Sequence, residues 1–174
     1  FALIIAFFSF SLYSENVEIT LVYTNDMHDH IRPGYLGVGG MPYLSGFVQE
    51  VRKEKPNVLL VDAGDLLDKG DMVTDLTNGE ITYQAIEKIG YQVMTIGNHD
   101  LDKGTERLCK LKQISKSVEF VTTNFKEGLE TCYKPWVVKK VNNIPIGLVG
   151  IVKLEGEEKG VAKSAIPEVK KAIE

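Results

Sequence analysis

The chain has 174 residues, of which 44% are apolar and 25% charged, and its formal net charge is −4. These values are typical of one globular domain with a hydrophobic core. The acidic balance argues against a protein that binds duplex nucleic acid, because such proteins usually carry a basic surface. An acidic protein that handles an anionic substrate needs a local positive charge, and a bound metal ion can supply it.

An apolar run, FALIIAFFSFSLYS, occupies residues 1–14. It has the length of the hydrophobic region of a secretory signal and is too short to span a membrane. We interpret it as a truncated signal, with a buried strand or a short anchor as alternatives, and we expect no transmembrane span. The corresponding location is extracellular or periplasmic, with the protein either secreted free or anchored to a surface.

Strands and helices alternate along most of the chain. Apolar runs rich in β-branched residues predict strands at 17–24, 57–62, 91–97 and 118–124. Apolar residues at helical spacing predict helices at 41–55, in the second half of 72–89 and at 103–115. This alternation is typical of a parallel sheet with helices on its faces, in which ligands bind at the carboxyl ends of the strands.

The pattern changes in the last third of the chain. Two apolar runs flank Asn142 and Asn143, which predicts a β-hairpin with these two residues in its turn. A helix is expected to begin at Pro167. The two cysteines of the sequence, Cys109 and Cys132, either form a disulfide, as in many secreted proteins, or remain buried free thiols.

Residue types that bind metals follow three successive predicted strands. The first strand is followed by TNDMHDH, the second by DAGD and the third by GNHDLD. If the strands are adjacent and parallel, one crevice collects the side chains of Asp26, His28, Asp65, Asn98 and His99. Extended backbone would point Asp26 and His28, two positions apart, to the same side. Carboxylate, amide and imidazole groups together suit Zn, Mn or Fe.

The blocks TNDMH, DAGD and GNHDLD, in this order, resemble the first three signature blocks of the calcineurin-like metallophosphoesterases. Over about residues 17–151 the sequence is most similar to the 5′-nucleotidase branch, which includes UDP-sugar hydrolases and apyrases. The resemblance implies an α/β fold, a layered αββα sandwich that is incomplete at its C-terminus. Residues 15–174 would be the N-terminal part of the domain, without its remainder and without a separate nucleotide-binding domain.

The same resemblance implies a centre of two divalent metal ions, Zn, Mn or similar. Asp26 and His28 match ligands of the first ion. Asp65 matches the carboxylate that bridges the ions, and Asn98 matches a ligand of the second.

Two further residues match the family's catalytic pair. His99 corresponds to the catalytic histidine, which contacts the phosphate and stabilises charge or protonates the leaving oxygen. Asp102 corresponds to the carboxylate that holds the tautomer of that ring. No direct role is predicted for Asp100, which stands between them.

The implied function is metal-dependent hydrolysis of phosphate esters, with nucleoside 5′-phosphates as the expected substrates in nucleotide catabolism. Nucleoside di- and triphosphates, nucleotide sugars and cyclic nucleotides are related alternatives. The sequence contains three histidines, the last being His99, so the further histidine ligands of the family's second half are missing. We therefore expect little or no activity from this stretch alone. A non-catalytic nucleotide- or metal-binding protein on the same fold is the alternative from another class.

Other polar residues near these blocks are expected to have no direct chemical role. Asp62 is predicted to be a structural hydrogen-bonding residue. Solvated or exposed loop positions are predicted for Asp29, His30, Asp68 and Asp71.

Overall fold

The computed structural model describes residues 16–125, 132–153 and 163–174. The predicted signal at residues 1–14 therefore lies outside the described residues. The strands are β1 (Thr20–Thr24), β2 (Val58–Asp62), β3 (Val93–Met94), β4 (Glu119–Phe120), β5 (Trp136–Val141) and β6 (Ile144–Val149). The helices are α1 (Gly40–Glu54), α2 (Met72–Leu76), α3 (Glu80–Ile89), α4 (Thr105–Lys112) and α5 (Ala165–Ile173), with a 3₁₀ turn at His99–Leu101.

The first four strands form one parallel sheet in the order β1-β2-β3-β4. β1 pairs with β2 from Thr20↔Val58 to Thr24↔Asp62, so both strands end at the same level. β2 is the continuous apolar run of the sequence, and its Leu60 is completely buried. The predicted parallel arrangement of the three strands that precede the polar blocks is confirmed.

The two faces of this sheet carry separate cores. On one face, residues such as Leu60, Met94 and Phe120 pack against the helices in the main hydrophobic cluster. On the other face, Val93 and Val121 pack with Val137 of β5 in a smaller cluster. Helices therefore cover one face and the β5–β6 sheet covers part of the other, in agreement with the predicted layered α/β class.

The second sheet is the predicted hairpin. β5 and β6 are antiparallel, from Trp136↔Val149 to Val141↔Ile144. Asn142 and Asn143 form the turn with φ values of 48° and 63°. Asparagine tolerates this left-handed conformation better than most residues, which explains the position of the turn.

β3 and β4 are shorter than the predicted strands at 91–97 and 118–124. After Phe120 the chain leaves the sheet ladder, because the Thr122 N–H donates to the Lys134 carbonyl at 2.9 Å. The Thr123 N–H then donates to the Gly150 carbonyl at 2.6 Å. The backbone of this segment thus joins the two sheets instead of extending β4.

The two cysteines form a disulfide, with Cα atoms 5.3 Å apart. The alternative of two free thiols is therefore wrong. The bond joins Cys109 of α4 to Cys132, which precedes β5. Within the described residues, no helix is long and apolar enough to cross a membrane.

Candidate metal and catalytic site

Side chains from the loops after β1 and β2 meet at the carboxyl edge of the sheet. Ligand atoms of Asp26, His28 and Asp65 all lie within 4.8 Å of one another. Nε2 of His28 is 3.6 Å from Oδ1 of Asp26. The structure thus places together the three carboxylate and imidazole ligands that the sequence predicted at this edge.

The backbone of this cluster differs from the extended conformation expected for Asp26 and His28. Their φ values are 54° and 42°, and that of Asp65 is 54°, all in the left-handed region. Non-glycine residues rarely adopt this region, and such conformations persist where the surrounding structure fixes them. The expectation that an extended backbone aligns these two residues was wrong, since both have left-handed backbone conformations.

Hydrogen bonds between the two loops hold these turns. The Asp26 N–H donates to the Gly64 carbonyl at 3.0 Å, and the His28 N–H donates to the Asp65 carbonyl at 3.0 Å. The Asp29 N–H then donates to the Leu66 carbonyl at 2.8 Å. The pairing of β1 with β2 therefore continues beyond the sheet and sets the ligand loops side by side.

Two glycines permit the close approach of the loops after β2 and β3. A Cβ on Gly97 would lie 2.1 Å from Oδ1 of Asp65. A Cβ on Gly64, whose φ is +104°, would lie 2.6 Å from the Gly97 nitrogen. Only glycine fits these positions without displacement of the loops.

The side chain of Asp100 connects the loop after β2 to the loop after β3. Its carboxylate accepts the backbone N–H groups of Asp65 and Leu67, both at 2.9 Å, and that of Gly97 at 2.8 Å. Burial raises the pKa of Asp100 to about 7, although the backbone hydrogen bonds act in the opposite direction. The sequence analysis assigned it no direct role, and the structure shows a residue that positions the loops carrying Asp65 and Gly97.

Asp62 has the structural role predicted for it. Its carboxylate accepts the Thr24 hydroxyl at 2.5 Å and the Gly64 N–H at 2.9 Å. Burial raises the pKa of Asp62 to about 7 against these hydrogen bonds. The side chain thus ties the end of β1 to the start of the Asp65 loop.

His99 stands at the edge of the cluster and is oriented by three contacts. Its Nδ1 lies 3.0 Å from Oδ2 of Asp102, and its backbone N–H donates to Oδ1 of Asp65 at 2.8 Å. Its ring centroid is 5.2 Å from that of His28. Asn98 begins the same 3₁₀ turn, and its side chain makes no capping hydrogen bond there. The predicted catalytic pair is therefore adjacent to the predicted ligands.

Lys69 is a residue of the site that the sequence analysis missed. Its Nζ lies 2.5 Å from Nε2 of His99. An ammonium group donates, so Nε2 accepts and the ring proton is on Nδ1, facing Asp102. The position of Lys69 four residues after Asp65 in DAGDLLDKG was the available signal.

Two acids predicted at solvated or exposed positions are buried. Asp29 is 2% exposed and accepts the Asp68 N–H at 2.6 Å and the Thr82 hydroxyl at 2.8 Å. Asp68 is 8% exposed and pairs with Nη1 of Arg107 at 2.9 Å. Burial raises the pKa of Asp29. These side chains form a buried polar network beneath the loop that carries Asp65 and Lys69.

The cluster has the donor chemistry of a divalent metal site. Carboxylate oxygen and imidazole nitrogen together suit ions of intermediate hardness such as Zn or Mn. Nδ1 of His28 is buried and has no hydrogen-bond partner among the described residues. A buried polar atom without a partner is costly unless something else satisfies it. The residues present therefore fit a metal ion.

A parallel sheet with carboxylate and imidazole side chains at the carboxyl ends of its strands is suited to bind a divalent metal ion. The chain belongs to the calcineurin-like phosphoesterase family, whose model matches residues 19–159. The resemblance inferred from the three sequence blocks is therefore confirmed.

In sequence and in structure the chain is similar to 5′-nucleotidases. It is 31% identical to the 5′-nucleotidase of Rattus norvegicus over 79% of this chain and 27% of that protein. It is 31% identical to Protein UshA of Escherichia coli over 77% of this chain and 25% of that protein. The crystal structure of a 5′-nucleotidase precursor from Thermus thermophilus matches with a TM-score of 0.78 and 25% identity, over 89% of this chain and 34% of that one. The chain thus spans about a quarter of the length of the two curated relatives and about a third of that of the crystal structure.

Proposed function

We propose that the intact protein hydrolyses nucleotide phosphate esters, with nucleoside 5′-phosphates as its main substrates and two divalent metal ions as cofactors. The observation that carries the proposal is the cluster of Asp26, His28 and Asp65, with ligand atoms within 4.8 Å, beside the His99–Asp102 pair. The names of the relatives support the nucleotide as substrate.

The ligands of the metal ions are proposed from their positions. Asp26 and His28 would hold one ion, Asn98 would hold the second, and the carboxylate of Asp65 would be shared by both. Divalent ions in such a centre polarise the phosphoryl oxygens and lower the pKa of bound water.

His99 is proposed to act at the leaving oxygen of the substrate. Its imidazole is oriented through Nδ1 by Asp102 at 3.0 Å, and its Nε2 faces the ammonium group of Lys69. In its protonated form it donates from Nε2 to the oxygen that leaves phosphorus, and Asp102 stabilises the positive ring. For this step the ammonium group of Lys69, which contacts the same nitrogen in the structure, moves to the bound phosphate and adds positive charge there.

Variants of the full-length protein test these roles. Asp65→Asn is expected to remove bound metal and activity together, because it takes away a ligand charge. His99→Ala is expected to lower kcat by about 10²- to 10⁴-fold while most of the metal is retained. Asp75→Asn, at an exposed acid on α2, is the matched control. Metal content by elemental analysis and kcat on a nucleoside 5′-phosphate are the two measurements.

Each outcome has a distinct meaning. Equal loss of metal in both variants would overturn the roles assigned to Asp65 and His99. A wild-type protein that binds metal and nucleotide without turnover would be a non-catalytic binder instead of an enzyme. Turnover that persists after complete removal of metal by a chelator would refute the metal-dependent mechanism.

We also propose that the protein is exported and that residues 1–14 belong to its signal. N-terminal sequencing of the mature natural protein checks this, since a retained apolar segment in a cytoplasmic fraction contradicts it.

A further inference from the structure

A pocket of about 360 Å³ lies between the loop after β1 and the loop after β2. Its polar lining consists of His30, Arg32, Lys69 and Asp71. Its volume falls within the roughly 300–1,000 Å³ that small-molecule sites occupy. We call it the Arg32–Lys69 pocket. Lys69 also contacts Nε2 of His99, so the pocket is adjacent to the proposed catalytic site.

The charges of the Arg32–Lys69 pocket leave a net positive balance. Arg32 and Lys69 are cations, and Asp71 neutralises one of them through an ion pair with Nε of Arg32. The hydrogen bond from Arg32 lowers the pKa of Asp71, so this carboxyl group is ionised at neutral pH. Among the described residues Asp71 is the one acidic partner of Arg32, so the outer guanidinium nitrogens remain for a ligand.

The position of Lys69 is fixed by the fold. Its φ is 75° and that of Asp68 is 65°, both strained for residues with a side chain. The buried pair of Asp68 with Arg107, at 2.9 Å, holds this turn from one side. From the other side, Gly70 packs so closely on the first loop that a Cβ there would lie 2.0 Å from the His28 carbonyl oxygen. The fixed backbone thus places the exposed side chain of Lys69 between the two sites, where its ammonium group can reach two neighbouring anionic groups.

We propose that the Arg32–Lys69 pocket binds a second phosphate group of the substrate, next to the phosphate that is hydrolysed. The inference rests on the proposed function and deepens it, because it assigns the choice between mono- and diphosphate substrates to side chains of this chain. Lys69 contacts both phosphates and Arg32 contacts the second one. Asp71 opposes this binding by occupying Arg32 and by its negative charge.

The reaction of a nucleoside diphosphate in this arrangement is a hydrolysis. A water oxygen forms the new bond to the terminal phosphorus, and the bond from that phosphorus to the bridging oxygen breaks. The electron pair of the broken bond stays on the bridging oxygen, which becomes an oxygen of the nucleoside monophosphate. The protons of the water are divided between the product phosphate and the solvent. Lys69 and Arg32 then contact the phosphate group of the nucleoside monophosphate product.

The experiment uses the full-length protein with Mn²⁺ and compares three substitutions. For Lys69→Met and Arg32→Met, the ratio of kcat/KM for a nucleoside diphosphate to that for the monophosphate is expected to fall about 10- to 100-fold, the usual effect of one charged hydrogen bond. Asp71→Asn is expected to raise the ratio, because asparagine keeps the helix cap to the Val73 N–H and removes the competing charge. Lys110→Met, on the exposed side of α4, is the control and should leave the ratio unchanged.

A second measurement needs no turnover. Calorimetric titration with inorganic pyrophosphate and with inorganic phosphate is expected to show tighter binding of pyrophosphate, lost in Lys69→Met and Arg32→Met. A second equivalent of inorganic phosphate that disappears in the same variants would also support the pocket and would identify a free anion as its ligand. The proposal would be overturned if the ratio of kcat/KM values stayed unchanged in Lys69→Met and Arg32→Met. It would also be overturned if the affinities for pyrophosphate and for phosphate fell equally, or in neither variant. Absence of wild-type turnover refutes the proposed function. The titration then shows by itself whether the pocket binds a phosphate group.

Discussion

Replacement of Arg107 by methionine should destabilise the protein through the buried pair beneath the site loop. The side chains of Arg107 and Asp68 are 5% and 11% exposed, and Nη1 of Arg107 lies 2.9 Å from Asp68 Oδ2. Removal of one partner of a buried ion pair costs about 3–5 kcal/mol, because the other charge is left unpaired in a poorly solvated place. Nζ of Lys103, at 3.4 Å from Oδ1 of Asp68, compensates part of this charge. We therefore expect the lower end of the range, about 3 kcal/mol.

Urea unfolding of the metal-free protein measures this change as a shift of the midpoint at constant slope. The double variant Arg107→Met/Asp68→Asn should recover part of the loss, because no unpaired charge remains. The control is Lys110→Met on the exposed face of α4, which should not move the midpoint. A loss below about 1 kcal/mol, or a double variant less stable than Arg107→Met, would refute the reasoning that an unpaired buried charge dominates.

Further predictions concern the loop junction, a buried acid and the disulfide. Gly97→Ala should abolish metal binding measured by calorimetry while circular dichroism still shows a folded α/β protein, because the new Cβ would displace the carboxylate of Asp65. Burial raises the pKa of Asp62 to about 7, so the folded protein binds this proton more tightly than the unfolded chain does. The free energy of unfolding of the metal-free protein should consequently fall as pH rises from about 4 to 7, and the fall should be smaller in Asp62→Asn. Cys109→Ala/Cys132→Ala should lower stability by about 2–4 kcal/mol in urea unfolding, and a smaller effect than about 1 kcal/mol would contradict a stabilising disulfide.

The sequence was sufficient for the parallel sheet and for the meeting of Asp26, His28 and Asp65. Both follow from local patterns: β-branched apolar runs, and polar residues at the ends of strands that pair in chain order. The boundaries of β3 and β4 were not predictable, because the backbone around Thr122 and Thr123 exchanges one sheet partner for another. Such an exchange depends on a hairpin far away in the sequence.

The supporting residues of the site were missed for a related reason. Asp29, Asp68 and Asp100 are charged residues within polar loops, and single-sequence patterns assign such residues to solvent. Their burial depends on partners from other elements, such as Arg107 on α4. Lys69 was missed because only the folded turn brings its ammonium group to His99. The proposed ligands could therefore be identified from local motifs, whereas the groups that hold them in place required the tertiary structure.

The hydrogen-bonded pairing of the two ligand loops has a consequence for how this site tolerates changes of length. Asp26 bonds to Gly64, His28 to Asp65 and Asp29 to Leu66, so each step along one loop is matched by a step along the other. An insertion or deletion of a single residue between Asp26 and Asp29 would move every later donor atom past its partner and separate imidazole from carboxylate. Natural length variation should instead accumulate between Pro33 and Val38, where the chain passes through an exposed segment before α1.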